Sequence, residues 1–413
     1  MAKGVYVGTG NVAHKVKKIY LGIDNVAHKV KKGYIGDANG LARLFFINVA
    51  KIIKYTGSIT GLETYTLNLA AAANQNYALF GGGKKSNRGG YSTTVNAYNS
   101  SLVRSTATAL STGRENLAAA SIGEYVLFAG GITYYMRGYA SNAAFSNVDA
   151  YSASLTRSRP TSLANARGFL SGATVGNYAL FAGGWTYPSK TSSDGTYNYY
   201  TAYDTVDAYD SSLTKTTASS LSSAKFDMAA ATIGNYALFA GGRYTQYGDN
   251  TGVSPTVYNT VNAYSTSLTR STATSLSTKR YRLSAAVAGD YSLFAGGRKS
   301  LDSSDIANTV DAYNKSLTRS IPTALSSARE WLAAKSLAGS AIFGGGRTFS
   351  SSYAASDVVD IYDSSLTRTI GASLSQARYE LAACTIDNYA LFAGGINSSI
   401  GLTTVDAYTI TYD

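Results

Sequence analysis

Apolar and polar residues alternate along most of this chain in short runs, each closed by glycine, asparagine or a hydroxyl residue. One stretch shows the scheme: Leu117 to Ile122 reads LAAASI, a Gly-Glu pair follows, and Tyr125 to Phe128 reads YVLF before the doublet Gly130-Gly131. Alternation in runs this short predicts strands, and a glycine first in a two-residue loop predicts a type II′ hairpin. After a variable loop come Val148 to Tyr151 (VDAY) and Ser154 to Arg157 (SLTR), a third and a fourth strand.

This unit recurs. The string Phe-Ala/Gly-Gly-Gly starts at Phe80, Phe128, Phe181, Phe239, Phe294, Phe343 and Phe392, with spacings of 48, 53, 58, 55, 49 and 49 residues. A period near 50 with a glycine doublet predicts one four-stranded sheet per repeat, arranged as the blades of a ring. The first three strands occur seven times each, but the Ser-Leu-x-Arg/Lys strand occurs six times. Residues Ile52 to Gly57 stand before the first repeat where a fourth strand belongs. The N-terminal strand is therefore expected to complete the last blade, covering two open sheet edges. The domain so defined runs from 49 to 413.

Residues 1–48 follow a shorter period. VYVGTGNVAHKVKK, IYLGIDNVAHKVKK and GYIGDANGLARLFF are successive 14-residue units marked by Tyr6, Tyr20 and Tyr34. Each has a β-prone stretch and a Gly/Asn/Asp turn signal, which predicts short strands joined by tight turns. No clean apolar face results: Val12, His14, Val16, Lys18 and Tyr20 share one side of a strand. So small a segment forms a poor core alone, so it is expected to pack on copies of itself or on a partner. The repeated Tyr6, Tyr20, Tyr34, Lys15, Lys17, Lys18, Lys29, Lys31 and Lys32 are the candidate anchoring residues.

Charge sharpens the division. Residues 1–54 hold ten Lys or Arg against Asp24 and Asp37, or +8 of the net +12, leaving +4 for the rest. Lysines interleaved with tyrosine can bind phosphates. Here they recur with the structural repeat and no nucleic-acid fold accompanies them, so a partner-facing basic surface is the expectation. His14 and His28 recur likewise, with no carboxylate or thiol in the motif to make a metal site. Only 15% of residues are charged, well below the usual quarter, and Gly, Ser, Thr, Asn and Tyr take their place. No apolar run is long enough to span a bilayer as a helix and MAKGVYVGTG lacks a signal-peptide core, so neither membrane insertion nor signal-driven secretion is expected. Cys384, the single cysteine, lies in the apolar run LAACTI and reads as a buried thiol.

The Gly-Gly doublet, the spaced tyrosines and the basic residue before each first strand make residues 51–413 resemble the Kelch family, though Thr-Arg replaces its fourth-strand tryptophan. The resemblance implies an all-β, seven-bladed Kelch-type β-propeller preceded by a small β-rich repeat segment. The tripled VYVG…VAHKVKK segment is similar to N-terminal repeats in tail and baseplate-associated proteins of phages of Gram-positive bacteria. That implies a virion component made in the bacterial cytoplasm, touching other tail or baseplate proteins through residues 1–48. A homo-oligomer follows, with a trimer as the working number.

Propellers host oxidases, lyases and binding modules, so chemistry must be read from residues. Both histidines precede the propeller, so residues 51–413 cannot supply the ligands of a copper-radical site like that of galactose oxidase. Sialidase-type Asp boxes are absent, and Asp149, Asp207, Asp311, Asp360 and Asp406 occupy one repeated position. No catalytic residue, metal or cofactor is predicted. Binding has better candidates. Arg114, Arg167, Lys225, Arg280, Arg329 and Arg378 open six first strands, with Thr66 at the seventh. They either pair with the repeated Asp and with carbonyls, or form a basic ring at the channel mouth that attracts anions. The loops between second and third strands hold 11, 16, 21, 18, 12, 12 and 9 residues, and the three longest carry Tyr134, Trp185, Tyr199, Tyr200 and Tyr244. Aromatics on long loops suit contact with sugar rings, whereas loop drift alone does not predict them. The expected function is non-enzymatic attachment of a phage tail or tail-like particle to a bacterial surface polysaccharide or anionic polymer. A purely architectural virion protein is the second reading and a carbohydrate-active enzyme the third.

Overall fold

The computed structural model describes residues 51–85, 90–134, 143–186, 201–244, 256–302, 304–397 and 400–412, with the backbone alone for 5–9, 12–16, 20–23 and 26–29. Seven four-stranded antiparallel sheets form a β-propeller. Numbered in chain order, blades one to seven have inner strands Ala70–Ala73, Ala118–Ile122, Ser171–Val175, Ala229–Ile233, Ser284–Ala288, Ala333–Leu337 and Ala382–Ile386. In blade two the next strands are Tyr125–Ala129, Val148–Tyr151 and Arg157–Ser158. Its inner strand alternates as period-two patterning requires: Ala118, Ala120 and Ile122 are buried, while Ala119 and Ser121 are half-buried toward the channel. Gly123 turns the strand at φ 55° while Glu124 stays outside the left-handed region, as a type II′ hairpin requires.

The doublet glycines set how closely blades approach. The amide of Gly131 donates to the carbonyl of Arg167 in the next blade at 2.9 Å, and a Cβ on Gly130 would lie 2.5 Å from that oxygen. No other residue fits there. The bond recurs from Gly83 to Arg114, Gly184 to Lys225, Gly242 to Arg280, Gly297 to Arg329 and Gly346 to Arg378, and Gly395 to Thr66 closes the circle. Apolar packing follows the same step. Phe181 and Tyr209 of blade three join Ala118, Ala120 and Leu127 of blade two in one core cluster. The two rings meet edge to face at 6.0 Å, and the Tyr209 hydroxyl donates to the Thr161 carbonyl at 2.8 Å.

Blade seven contains Ala382–Ile386, Tyr389–Ala393, Val405–Tyr412 and, from the other end of the segment, Lys51–Ile59. In blade two Arg157 of the fourth strand lies 3.7 Å from Asp149. In blade seven the hydroxyls of Tyr55 and Ser58 donate to Asp406 at 2.8 and 2.9 Å instead. The chain divides into two compact units, residues 55–408 and residues 1–54 with 409–413. In the second unit Val5–Thr9 pairs with Val12–Val16 and Tyr20–Ile23 with Val26–Lys29, so Tyr6 faces Lys15 and Tyr20 faces Lys29 in register. Lys17, Lys18, Lys31, Lys32 and Tyr34 lie outside the described residues.

Ring closure is testable by truncation. Removing residues 1–60 takes away the closing strand and should lower the melting temperature of the whole propeller, whereas removing 1–45 should leave it unchanged. Equal melting of the two truncations would show that Lys51–Ile59 contributes nothing to closure.

Candidate functional site

The six basic residues that open the first strands do not form a ligand-facing ring. Arg114, Arg167, Lys225, Arg280, Arg329 and Arg378 are all fully buried. Arg114 bonds Asp149 at 2.9 Å, and Arg167 and Arg378 bond Asp207 and Asp406 at 2.8 Å. Arg280 and Arg329 pair with Asp311 and Asp360 in the same way. Further N–H groups reach backbone carbonyls, as Arg114 Nε reaches Gly130. Within a blade these contacts tie three strands together. Burial lowers the pKa values of Arg114, Arg280 and Arg329, with the paired aspartate opposing the shift. Losing one partner of such a pair costs about 3–5 kcal/mol.

The mouth of the channel is built two residues further on. Asn68, Asn116, Phe169, Asp227, Arg282, Trp331 and Glu380 hold one equivalent position per blade, and all take φ between 53° and 58°. Each amide donates to the carbonyl of its counterpart in the preceding blade. The links are 3.0 Å from Asn116 to Asn68, 2.8 Å from Phe169 to Asn116 and 3.0 Å from Arg282 to Asp227, and Asn68 closes the circle on Glu380 at 3.0 Å. Glycine would adopt this conformation freely, yet it occupies none of the seven positions. Left-handed backbone at bulky residues costs roughly 1–3 kcal/mol each. Together with the leucines and methionine that follow them, the seven line a cavity of about 210 Å³.

A second tier surrounds them. Trp185 stacks on Phe169 at 5.5 Å, and Phe169 meets Phe226 at 6.3 Å. The Arg243 guanidinium lies between Phe226 and Tyr281 at 4.8 and 4.6 Å. Arg282 and Arg347 cover Trp331 at 3.9 and 4.2 Å, and Arg347 also lies 3.7 Å from the Tyr353 ring. Carboxylates fix these cations in plane. Asp227 takes Arg243 at 2.8 Å, and the buried Glu330 takes Arg298, Arg347 at 2.7 Å and Arg282 at 3.4 Å. On the opposite arc Asn68 donates to Glu115 at 2.9 Å. The carboxylate of Glu380 forms neither ion pair nor hydrogen bond among the described residues, and burial, aided by Glu115, pushes it up to about 7 although it touches the channel.

Trp185 is 9% exposed and packed on Phe169, so it offers no open face for a sugar ring. Tyr244 is half-buried at the base of a ribbon, Arg243–Tyr244 against Thr256–Val257. Tyr134 is exposed, with its backbone bonded to the Tyr91 hydroxyl. Tyr199 and Tyr200 lie outside the described residues. Repetition along the sequence does not mark the mouth residues. They sit where the repeats disagree: after the constant basic or threonine position the chain reads LN, EN, GF, FD, YR, EW and YE.

No family model matches this chain, and no curated protein is similar to it in sequence. Among solved structures it superposes on the propeller YjhT with a TM-score of 0.53, over 86% of this chain and 99% of that one, at 13% identity. Likeness at that identity shows the fold alone: this is a seven-bladed β-propeller.

Lys225 generates a pH prediction. Blade four carries Asn262 where five blades carry aspartate, so among the described residues the buried ammonium has no carboxylate partner and donates to the Thr260 hydroxyl at 2.8 Å, 5.7 Å from the centre of the Tyr258 ring. Burial, aided by Arg270, pulls its pKa down to about 7 from 10.5. Between those values the unfolded chain binds the proton and the folded chain does not, so stability rises with pH, by at most about 1.4 kcal/mol per pH unit. Relative to Lys225→Met, the wild-type protein should gain stability from pH 7 to 9 in denaturant titrations. Asn262→Asp should stabilise at pH 7 and flatten that difference; a flat difference in the wild type would refute the assignment.

Proposed function

We propose that this protein is a non-enzymatic adhesion component of a phage tail or tail-like particle. Its Kelch-type propeller binds a glycan of a bacterial envelope at the channel mouth, and its basic N-terminal repeats join it to other particle proteins and to its own copies. The observation that carries the binding half is the ring of seven left-handed residues, none of them glycine and six of them different in kind. Left-handed backbone kept at bulky residues such as Phe169, Arg282 and Trp331 supports a role for their side chains at the mouth. Stacking and ion pairs hold those side chains rigid, so little conformational entropy is lost when a ligand docks. The arc from blade four to blade six offers hydrogen-bonding edges rather than open apolar faces, which suits a polyhydroxylated ligand.

Turnover has less support. Hydrolysis of a glycoside by the usual route needs two carboxyl groups free to act. Asp227 and Glu330 are locked by arginines and Glu115 is bonded to Asn68, which leaves Glu380 alone of the four. The particle half of the proposal rests on the resemblance of the 14-residue repeats and on the +6 charge of residues 1–48.

Two measurements test it. Trp331→Gly suits the local φ of 53° and should leave the fold intact while weakening adsorption to cell-wall preparations by roughly 1–3 kcal/mol. Loss on Tyr199→Ala with Tyr200→Ala, and none on Trp331→Gly, would move the site to the long loops; no adsorption by the intact protein would favour the architectural reading. Separately, the protein lacking residues 1–48 should keep its adsorption but lose self-association and incorporation into particles, both readable by sedimentation. Unchanged sedimentation would remove the anchoring role.

A further inference from the structure

We infer that the mouth engages its ligand through one oxyanion, a carboxylate or a phosphate, held on the arginine-rich arc of blades four to six. The inference rests on the mouth being the ligand site and adds the chemistry of the group it selects.

Charge is the first ground. Among the described residues Arg243, Arg282, Arg298 and Arg347 form ion pairs with Asp227 and Glu330 alone, four cations against two anions, or +2. Glu380, near Arg282 and Arg347, has its carboxyl raised to about 7, so near neutral pH it is about half ionised and removes roughly a quarter of that surplus. Glu115, on the far arc, is taken by Asn68. Among the described residues the one further carboxylate that feels Arg298 is the exposed Asp302, and three of these arginine side chains are only 14–18% exposed. Uncompensated charge in so dry a setting is unfavourable until an anion arrives.

Geometry is the second. Aromatic rings cover the flat faces of Arg243, Arg282 and Arg347, so the in-plane edges, which carry the N–H donors, remain for a ligand. Among the described residues both Nη atoms of Arg243, Nη2 of Arg282 and Nη1 of Arg298 bond no protein acceptor. Fixed guanidinium edges match the planar, bidentate demands of carboxylate and phosphate. Size is the third. The cavity of about 210 Å³ is smaller than the roughly 300–1,000 Å³ of pockets for drug-sized ligands. It admits one residue of a polymer, so the acidic group belongs to a chain end or a branch rather than to mid-chain.

Both tryptophans of the chain stand at the mouth, which gives the test its readout. Tryptophan emission of the full-length protein is followed during titration with D-glucuronic acid, inorganic phosphate and D-glucose. A saturable change is expected with at least one of the two anions, weakening as salt rises, and none with glucose at the same concentrations. Glucuronic acid alone would identify a carboxylate, phosphate alone a phosphate. Arg282→Gly, matched to a φ of 57°, should lower the anion's affinity roughly tenfold, as should Arg243→Gln if the first variant proves unstable. Lys315→Ala, on an exposed ion pair with Asp290, should change nothing. Glucose binding as tightly as glucuronic acid, indifferent to both arginine variants, would overturn the oxyanion while leaving the mouth a glycan site. Failure of both anions against protein that still adsorbs to cell walls in a Trp331-dependent way would overturn it too.

Discussion

Everything in this propeller depends on how closely one blade can approach the next, and that distance is set by a backbone hydrogen bond. The amide of the second doublet glycine reaches the carbonyl of the residue opening the next first strand. The first glycine must lack a Cβ for that oxygen to come so near. Once the step is fixed, the Phe and Tyr of each blade fall into the apolar layer of the blade before it. The buried arginine beside that carbonyl is thereby sealed from water, so its charge has to be met inside the blade.

The manner of meeting it explains a covariation along the chain. Five blades pair arginine with aspartate, while blade one has Thr66 with Asn96 and blade four Lys225 with Asn262. The acidic position keeps a second duty in every case. Asp149 accepts the Ser111 amide at 3.2 Å, Asn96 accepts Glu63 at 2.9 Å and Asn262 accepts Ser222 at 3.0 Å. A carbonyl-type oxygen is therefore required at all seven sites, and a negative charge only where a guanidinium lies beside it. Blade four departs from that economy by leaving its ammonium unpaired.

How much of this could be read from sequence divides cleanly by mechanism. Blade number, strand order, the II′ turns and the closing strand were legible, because each depends on a local pattern repeated at a fixed period. The deficit of one fourth strand was enough to locate Lys51–Ile59. The arginines were legible only as alternatives, since a string cannot say whether Arg167 faces water or Asp207. The mouth positions were not legible by repetition, because there the seven blades carry different residues. Phe169, Arg282 and Trp331 differ for the reason that Phe181, Phe294 and Phe343 agree. Asn68, Asn116 and Asp227 are types that tolerate positive φ, but at Phe169, Arg282, Trp331 and Glu380 the residue type carries no left-handed signal.

The circle of amide-to-carbonyl links at the mouth has no beginning and no end. A helix or sheet edge leaves backbone groups over, and those groups compete to bind whatever comes near. Here every link in the circle is already spoken for by its neighbour in the adjacent blade. Seven side chains consequently supply the vocabulary of the mouth, on a frame that does not change when one of them does. Exchanging a few of these residues would change what the mouth presents without disturbing how it is held, much as type is reset in a fixed forme.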